Sequence, residues 1–384
     1  MRKKIISILI VLAIFLTLHS SALAVSNPLE RDNNFIGIHI LFPSEIGEAA
    51  SIVNASGGDW GYATIPIQYS DRDLEKWQKF MNDAKKLHII PIIRLATSAY
   101  HNDTTVWRKP NDSDVLDFAN FLDSLTWPTK NRYVILFNEV NRFDEWGGES
   151  PDPQAYSEIV SYANNVFKNR NDNFYLILSG LDNAAPDSAK YMSSLNYLRK
   201  LITFDTEAIR SIDAVSSHSY PNPNFSDSPN TYKTTGVSTY KFEGDLVSSM
   251  LGEAKPIFIT ETGWNSDVLS DDTIAQYLKF TLSEIWSKDD DKIVAITPFL
   301  LRAGDGQFDK FSFLQNNALT SYGNAYKNFP KKMGNPQIDE AENIKVLATV
   351  LGLKDYPRAV NSKLDENMKI SGVVEFYLKS IFGI

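Results

Sequence analysis

The sequence predicts an α/β protein whose main domain is a closed (β/α)8 barrel, the TIM barrel, followed by a C-terminal helical extension. Three observations lead to this fold class. Eight short apolar runs succeed one another between residues 34 and 301, polar segments with helical spacing separate most of them, and the runs are apolar on both faces. Strands that are buried on both faces form parallel sheets covered by helices. Eight such units over about 300 residues fit a closed barrel.

The eight candidate strands are rich in Ile, Val, Leu and aromatic residues. They lie at residues 34–41, 60–67, 88–95, 132–139, 173–180, 212–220, 256–262 and 293–301. Helical spacing of apolar residues predicts helices at 71–87, 112–125, 153–169 and 271–288. Ser270 or Asp271 can cap the start of the last helix.

A doubly wound open sheet is the alternative arrangement of these elements. No Gly-rich phosphate loop follows the first strand candidate, which argues against a nucleotide-binding version of that fold. We therefore expect residues 25–330 to form one barrel domain. Residues 331–384 are expected to form the helical extension, with breaks near Gly352, Pro357 and Gly372.

The composition limits the partners and the chemistry. The chain of 384 residues has a net charge of -9 and a pI near 5.2, which argues against nucleic acid or an anionic membrane surface as a partner. Cysteine is absent, which excludes disulfides, thiolate zinc sites and a cysteine nucleophile. We expect no cofactor and a monomeric protein.

The N-terminus has the pattern of an export signal. A basic start at Arg2, Lys3 and Lys4 precedes an apolar run from residue 5 to 18, and Ala-Leu-Ala at 22–24 gives a small-x-small cleavage pattern. The run is short for a membrane span of about 20 residues. We expect a signal peptide at 1–24 and a secreted or extracytoplasmic protein without a stable membrane partner. An uncleaved membrane anchor is the alternative.

Two of the strand candidates end in a glutamate. The run "RYVILFNE" ends in Asn138 and Glu139, and "PIFITET" carries Glu261 near its end. Active-site residues of (β/α)8 barrels lie at the C-terminal ends of the strands, so both glutamates are expected at one rim. Two facing carboxyl groups can divide the work, one keeping its proton as an acid while the other stays ionised as a nucleophile.

These strand ends resemble those of the clan A glycoside hydrolases, the superfamily of retaining barrel enzymes that includes the cellulase-like families. The clan has Asn-Glu at the end of strand four, matched by Asn138 and Glu139, and a second glutamate at the end of strand seven, matched by Glu261. Several cellulase-like families have His-x-Tyr at the end of strand six, matched by His218 and Tyr220. The resemblance covers roughly residues 33 to 330.

The resemblance implies hydrolysis of a β-linked oligo- or polysaccharide or glycoside by double displacement. Glu139 would be the general acid and then the base, and Glu261 the nucleophile. Asn138 would hold the sugar 2-hydroxyl, Tyr220 would donate a hydrogen bond to Glu261, and His218 would help to shape the pocket floor.

A sugar ring also needs a flat apolar surface to stack on. Trp264 and Trp146 follow the two glutamates closely in the sequence, and Trp264 is the first candidate because it comes three residues after the proposed nucleophile. His39 ends strand one and is a further candidate for the cleft wall.

The chain departs from the clan pattern at two strands. Many members carry an Arg near the end of strand two, where this chain has Thr64, and Arg94 on strand three is expected to supply the cation instead. Many members also have a Trp at the end of strand eight, where this chain offers Phe299. These departures leave open a catalytically inactive barrel that binds carbohydrate.

A metal-dependent barrel hydrolase is a third alternative. Such an enzyme needs several His and carboxylate ligands at strand ends. The chain has five His, one of them in the predicted signal peptide, and no His-x-His pair ends strand one. We therefore expect no metal site.

The export signal gives the first testable prediction. Because a signal peptidase would cut after Ala24, the mature protein should begin at Val25 and lack Met1. Mass spectrometry of the protein recovered outside the cytoplasm measures this directly. An intact chain starting at Met1 in the membrane fraction would favour the anchor instead.

Overall fold

The computed structural model describes residues 25–100, 103–303 and 306–338. The predicted signal peptide lies outside the described residues, and so does the predicted C-terminal extension from residue 339 onward. Among the helices of these described ranges, none combines the length and the apolar character that a bilayer crossing requires.

The described residues contain eight parallel strands that form two sheets. The strands are β1 (Gly37–His39), β2 (Gly61–Gln68), β3 (Ile89–Ala96), β4 (Arg132–Ile135), β5 (Phe174–Ile177), β6 (Val215–His218), β7 (Ile257–Glu261) and β8 (Ile293–Ile296). The first sheet has the order β1-β2-β3-β4-β5 and the second the order β8-β7-β6. Backbone bridges between Ile36 and Ile296 and between Ile177 and Ala214, both parallel, link the outer strands of the two sheets. The α/β class with parallel strands is therefore confirmed.

Helices alternate with these strands along the chain. Most begin at a side chain that accepts a hydrogen bond from the first turn, such as Asp73, Asn111 and Ser270; Ser270 is thus the cap of the helix predicted at 271–288. The helices are α1 (Ile46–Val53), α2 (Leu74–Lys86), α3 (Asp112–Asp123), α4 (Pro153–Arg170), α5 (Ser194–Phe204), α6 (Thr206–Arg210), α7 (Thr239–Leu251), α8 (Asp271–Phe280) and α9 (Ser321–Asn328). A short hairpin, Ala99–Tyr100 with Asp103–Trp107, follows β3.

The core has two apolar parts because each strand is buried on both faces. The larger part lies between strands and helices and includes the fully buried Trp77 and Trp286. The smaller part is formed by alternate strand residues that share the opposite face, as expected for side chains with a period of two. Its members include Tyr62, Ile90, Ile92, Tyr133, Ile135, Tyr175, Ile177 and Phe258.

Buried hydroxyl groups lie among the same strands. Thr64 and Thr297 are 2.9 Å apart through their hydroxyl oxygens, and Ser216 and Thr260 form a close hydroxyl pair. Thr64 is opposite His39 in the register of β1 and β2, well before the end of β2 at Gln68. The sequence analysis placed Thr64 near the end of its strand, whereas β2 extends four residues beyond it.

The hydroxyl group of Tyr156 on α4 connects the ends of β4 and β5. It donates to the carbonyl of Leu136 at 2.8 Å and accepts from the amide of Ser179 at 3.0 Å. Leu136 begins the segment that leads to Asn138 and Glu139, so this buried bridge holds the segment in place.

The bridge predicts a difference between two tyrosines of α4. Tyr156→Phe should lower the free energy of unfolding by about 1–3 kcal/mol, because it leaves a buried carbonyl and a buried amide without a partner. Urea denaturation followed by tryptophan fluorescence measures this value. Tyr162→Phe is the matched control, since Tyr162 is only partly buried. Equal losses from the two variants would contradict the role assigned to the bridge.

Candidate active site

The chain turns sharply after β4. Phe137 and Glu139 have φ angles of +70° and +37°, in the left-handed region that side chains other than glycine seldom adopt. The amide of Glu139 donates to the carbonyl of Gly180 at 3.0 Å, which ties the turn to the segment after β5. A backbone held in this region is typical of functional sites.

Glu139 and Glu261 lie side by side at the ends of their strands. Glu261 is the last residue of β7, and one of its carboxylate oxygens lies within 4.8 Å of one from Glu139. The Nδ1 atom of His218, the last residue of β6, lies within the same distance of both. The structure thus brings together three predicted site residues that are far apart in the sequence.

Positive and hydrogen-bonding groups surround Glu261, which is 7% exposed. Arg94 donates through Nη1 to Oε1, and the Tyr220 hydroxyl donates to Oε2 at 3.0 Å. Burial by itself raises the pKa of this carboxyl group. The charges of His218 and Arg94 lower it by a larger amount, so that the pKa of Glu261 is about 2. Glu261 is therefore ionised at any pH at which the protein would normally work.

Glu139 has a different set of neighbours. His218 Nδ1 lies 2.9 Å from its Oε1 atom, and Arg142 Nη1 lies 3.5 Å from its Oε2 atom. Burial lowers the pKa of His218, but the negative charges of Glu261 and Glu139 outweigh it, and the net shift is upward. His218 therefore keeps its proton to higher pH than an ordinary histidine and stands between the two carboxylates.

Gly180 makes room for the His218 ring. A Cβ atom at position 180 would come within 2.3 Å of Nε2 of that ring, a distance that heavy atoms do not tolerate. Gly180 thus contributes to the site in two ways: its lack of a side chain leaves room for His218, and its carbonyl accepts from the amide of Glu139.

A second chain of hydrogen bonds leads from Glu261 to Glu145. Arg94 Nη1 donates to Asn138 Oδ1 at 2.9 Å, and Asn138 Nδ2 donates to Glu145 Oε1 at 2.9 Å. Burial, followed by the charge of Glu139, raises the pKa of Glu145 to about 7. Sequence reasoning missed Glu145, because an acidic residue in a loop that also contains Asp144 and Glu149 carries no distinguishing signal.

Arg142 was missed for the same reason. Its guanidinium bonds Asp144 at 2.7 Å and Asp182 at 3.1 Å and faces Glu139. Burial lowers the pKa of Arg142, but these three acids raise it above its ordinary value. Arg142 thus joins the loop after β4 to the loop after β5 beside the candidate acid.

His39 lies against the same carboxylate from β1. Its Nε2 atom is 3.9 Å from Glu261 Oε1, and its ring meets the edge of Phe299 with 5.1 Å between centroids. Burial, and then the charge of Arg94, lower the pKa of His39 to about 3. The ring is therefore neutral, and neither of its nitrogens has a hydrogen-bond partner within the described ranges.

Trp264 and Trp146 do not present an open face. Trp264 is 3% exposed and donates from its indole nitrogen to the carbonyl of Asp227, and Trp146 is completely buried in the main core. The expectation that they stack on a sugar is wrong for this reason: both side chains point into the layer between strands and helices.

Two other aromatic side chains lie near Glu261: Tyr220 donates a hydrogen bond to it, and Phe299 packs on the neighbouring His39. They belong to a separate cluster, in which Phe299 comes after β8. Phe308, which is 44% exposed, meets Phe299 edge to face at 5.4 Å between centroids. The aromatic surface of the site therefore comes from β6 and β8.

The three donors Glu139, His218 and Glu261 are also the group of described residues whose ligand atoms lie close enough together to hold a metal ion. Their atoms are already engaged with one another, and the guanidinium of Arg94 lies against Glu261. A cation placed there would be repelled by Arg94, so the arrangement fits a pair of carboxylates better than a metal centre.

No family model matches the sequence, and no curated protein matches it in sequence. Solved structures do match in fold. A family 39 glycoside hydrolase from Bacteroides cellulosilyticus WH2 gives a TM-score of 0.54 at 17% identity, over 79% of this chain and 64% of that chain. A monomeric β-xylosidase from Caulobacter crescentus CB15 gives 0.54 at 12% identity, over 78% and 69%. A GH5_18 protein from Streptomyces cattleya, solved with GlcNAc, gives 0.51 at 15% identity, over 77% and 79%.

At such low sequence identity, these structural similarities bear on the fold and not on the activity. The described chain has the fold of barrel glycoside hydrolases, which supports the resemblance to clan A at the level of architecture. The chain spans somewhat less than two thirds of the family 39 enzyme.

The surroundings of Glu261 predict the effect of removing Arg94. Arg94→Met should raise the pKa of Glu261 by about one unit or more, because burial then opposes ionisation with one cation fewer. Carboxyl ¹³C NMR of the labelled protein measures the titration. Arg94→Lys should recover only part of the shift, since lysine keeps the charge but loses the planar fork.

Arg210→Met is the matched control for this experiment. Arg210 ends α6, which precedes β6 at the opposite end of the strands, and it bonds the carbonyl of Leu251. The Glu261 titration should be unchanged in this variant. A Glu261 titration that is also unchanged in Arg94→Met would show that other groups set it.

Proposed function

We propose that the protein is a retaining glycoside hydrolase that cleaves a β-linked glycan or glycoside by double displacement. The observation that carries this proposal is the separation of the two carboxylates, whose nearest oxygens lie within 4.8 Å. Retaining glycosidases hold these groups about 5–5.5 Å apart, whereas inverting enzymes need about 6.5–9.5 Å to admit a water. The proposal includes closure of the eight strands into one barrel, which the two backbone bridges between the sheets support.

The unequal surroundings of the two glutamates assign their roles. Glu261 is the nucleophile, since its low pKa keeps it ionised and ready to attack the anomeric carbon. Glu139 protonates the leaving oxygen as the glycosidic bond breaks, and its carboxylate then takes a proton from the water that releases the sugar. His218 lies between both groups and holds Glu139 through a hydrogen bond of 2.9 Å.

The remaining groups hold the sugar and the nucleophile. Tyr220 keeps one oxygen of Glu261 oriented, while Arg94 keeps the other. Asn138 donates to the sugar 2-hydroxyl, a contact that strengthens in the transition state. Phe308, which is 44% exposed and packs on the buried Phe299, offers an apolar surface for the sugar in place of the two buried tryptophans.

A barrel that binds carbohydrate without hydrolysing it is the alternative. The departures at strands two and eight favoured it in the sequence, the first of them because an Arg is missing there. Arg94 reaches Glu261 from β3 instead, so the cation beside the nucleophile is present and this argument for the alternative loses its force.

The three segments of the chain have different roles in this proposal. Residues 1–24 act as an export signal, 25–330 form the catalytic domain, and 331–384 form an extension outside the chemistry. The exported protein acts as a monomer on an oligo- or polysaccharide.

Replacement of each glutamate should reduce catalysis in a different way. Glu261→Ala should lose at least about 10⁴-fold in kcat on an aryl β-glycoside, because no nucleophile remains. Glu139→Ala should lose about 10²–10⁴-fold on substrates with poor leaving groups. It should lose far less on aryl glycosides whose leaving group needs no proton.

Added azide separates the two roles. It should rescue Glu139→Ala to give the glycosyl azide of retained β configuration, because the covalent intermediate on Glu261 still forms. Glu261→Ala should give the α azide, if any product. The exposed Glu253, on the far side of the strands, provides the control variant Glu253→Ala. A wild-type product of inverted configuration in ¹H NMR would exclude double displacement, and no turnover of any glycoside would favour the binding protein.

A further inference from the structure

Glu145 has a place in the site that neither the sequence motifs nor the roles above account for. Its carboxylate accepts a hydrogen bond from Asn138 Nδ2, and Asn138 Oδ1 in turn accepts one from Arg94. The amide of Asn138 is therefore held at both ends. Its oxygen is committed to Arg94, and one of its two N–H groups is committed to Glu145.

The loop that carries Glu145 is anchored on both sides of it. The carbonyl of Asp144 accepts from the amide of Trp107 at 2.7 Å, and Trp146 is completely buried. The amide of Gly148 donates to the carbonyl of Phe143 at 2.7 Å, which closes the turn. Trp146 thus serves as the anchor that fixes its neighbour at the rim, which explains why a tryptophan so close to Glu139 is buried.

The charged groups that face Glu145 come from three elements. Glu139 approaches from the end of β4 and opposes its ionisation, while Arg94 on β3 and Arg142 on its own loop favour it. Burial and Glu139 prevail, so the carboxyl group of Glu145 changes charge at about pH 7. The charge of Glu139 thus acts directly on the ionisation of Glu145.

We propose that Glu145 is a positioning residue that fixes the amide of Asn138, so that the second N–H of this amide points to the sugar 2-hydroxyl. Through its own charge, Glu145 also interacts with the neighbouring Glu139. This inference rests on the proposed function for the sugar contact. The fixed amide itself is a property of the free protein. Without Glu145, the amide can rotate or exchange its oxygen and nitrogen, and the contact with the hydroxyl group is no longer directed.

The first experiment needs no turnover. In ¹⁵N-labelled wild-type protein, the side-chain amide signals of Asn138 should shift with a midpoint near pH 7. This shift should disappear in Glu145→Gln, which keeps an acceptor oxygen but cannot ionise. It should persist in Glu149→Gln, a control on the same loop whose carboxylate is exposed and pairs with Lys109. An Asn138 titration that is unchanged in Glu145→Gln would overturn the proposal.

The second experiment reads the effect on catalysis. Glu145→Ala should lower kcat/KM about tenfold on an aryl glycoside with a 2-hydroxyl, the loss expected when one directed hydrogen bond goes. It should change the rate on the 2-deoxy analogue less than about twofold, because that analogue never makes the contact. Glu145→Gln should recover kcat/KM on the glycoside with a 2-hydroxyl. The basic limb of its pH–rate profile should lie about half a pH unit lower than that of the wild type, since a neighbouring anion favours the protonated form of an acid.

The two experiments separate failure of this inference from failure of the proposed function. If the wild type hydrolyses no glycoside but Asn138 titrates as described, the proposed function fails while the fixed amide stands. If Glu145→Ala loses equally on both substrates, or if Asn138 does not titrate through Glu145, the inference fails and the double displacement is untouched.

Discussion

The buried ion pair between Arg94 and Glu261 is the interaction on which the arrangement of the site depends. A carboxylate that is 7% exposed is costly to ionise unless opposite charge and hydrogen bonds surround it. Arg94 supplies both and extends its effect through Asn138 to the loop after β4. Breaking such a pair by removal of one partner costs about 3–5 kcal/mol, because the other charge stays buried. Together with burial, the same cation lowers the pKa of His39, which leaves a neutral ring beside Glu261. One side chain from β3 therefore acts on the charge states of His39 on β1 and Glu261 on β7.

The eight parallel strands make this concentration of charge tolerable. Alternate strand residues provide an apolar cluster with three tyrosines, and buried hydroxyl pairs such as Thr64 with Thr297 lie among the same strands. The carboxylate and imidazole groups of the site lie at strand ends, where His218 and Glu261 are the last residues of β6 and β7. Stability is supplied by the parts of the strands that carry no chemistry. The loops beyond them can then hold strained conformations, such as the positive φ angles of Phe137 and Glu139, without a large cost to the fold.

Much of this could be read from the sequence, and the reasons for the rest are physical. Apolar runs that end in a carboxylate identify Glu139 and Glu261, because a strand and its end are local features. Arg94 could be proposed as the missing cation, since it lies on a strand next to the expected one. Its contact with Glu261 depends on the relative shift of the strands, in which Arg94 lies opposite Pro66 and Ile135. The direction of a side chain after a turn is not a local feature, so Trp146 and Trp264 were assigned to the wrong side of the rim. Glu145 could not be found at all, since its environment is created by Asn138 and Glu139 in three dimensions.

The number of carboxyl groups at the rim also bears on how the site keeps a proton. Glu139, Glu145 and Glu261 lie in one network, and the cations that face them are Arg94, His218 and Arg142, the last of which is shared with Asp144 and Asp182. The acids therefore outnumber the cations among these residues, and neighbouring carboxylates that cannot all ionise must retain a proton between them. Glu261 does not hold it, because Arg94 and Tyr220 bind both of its oxygens. Glu145 is the group that can hold it, because burial and the charge of Glu139 raise the pKa of Glu145 to about 7. Burial together with excess negative charge at this rim is thus a physical means of keeping a proton beside Glu139 near neutral pH.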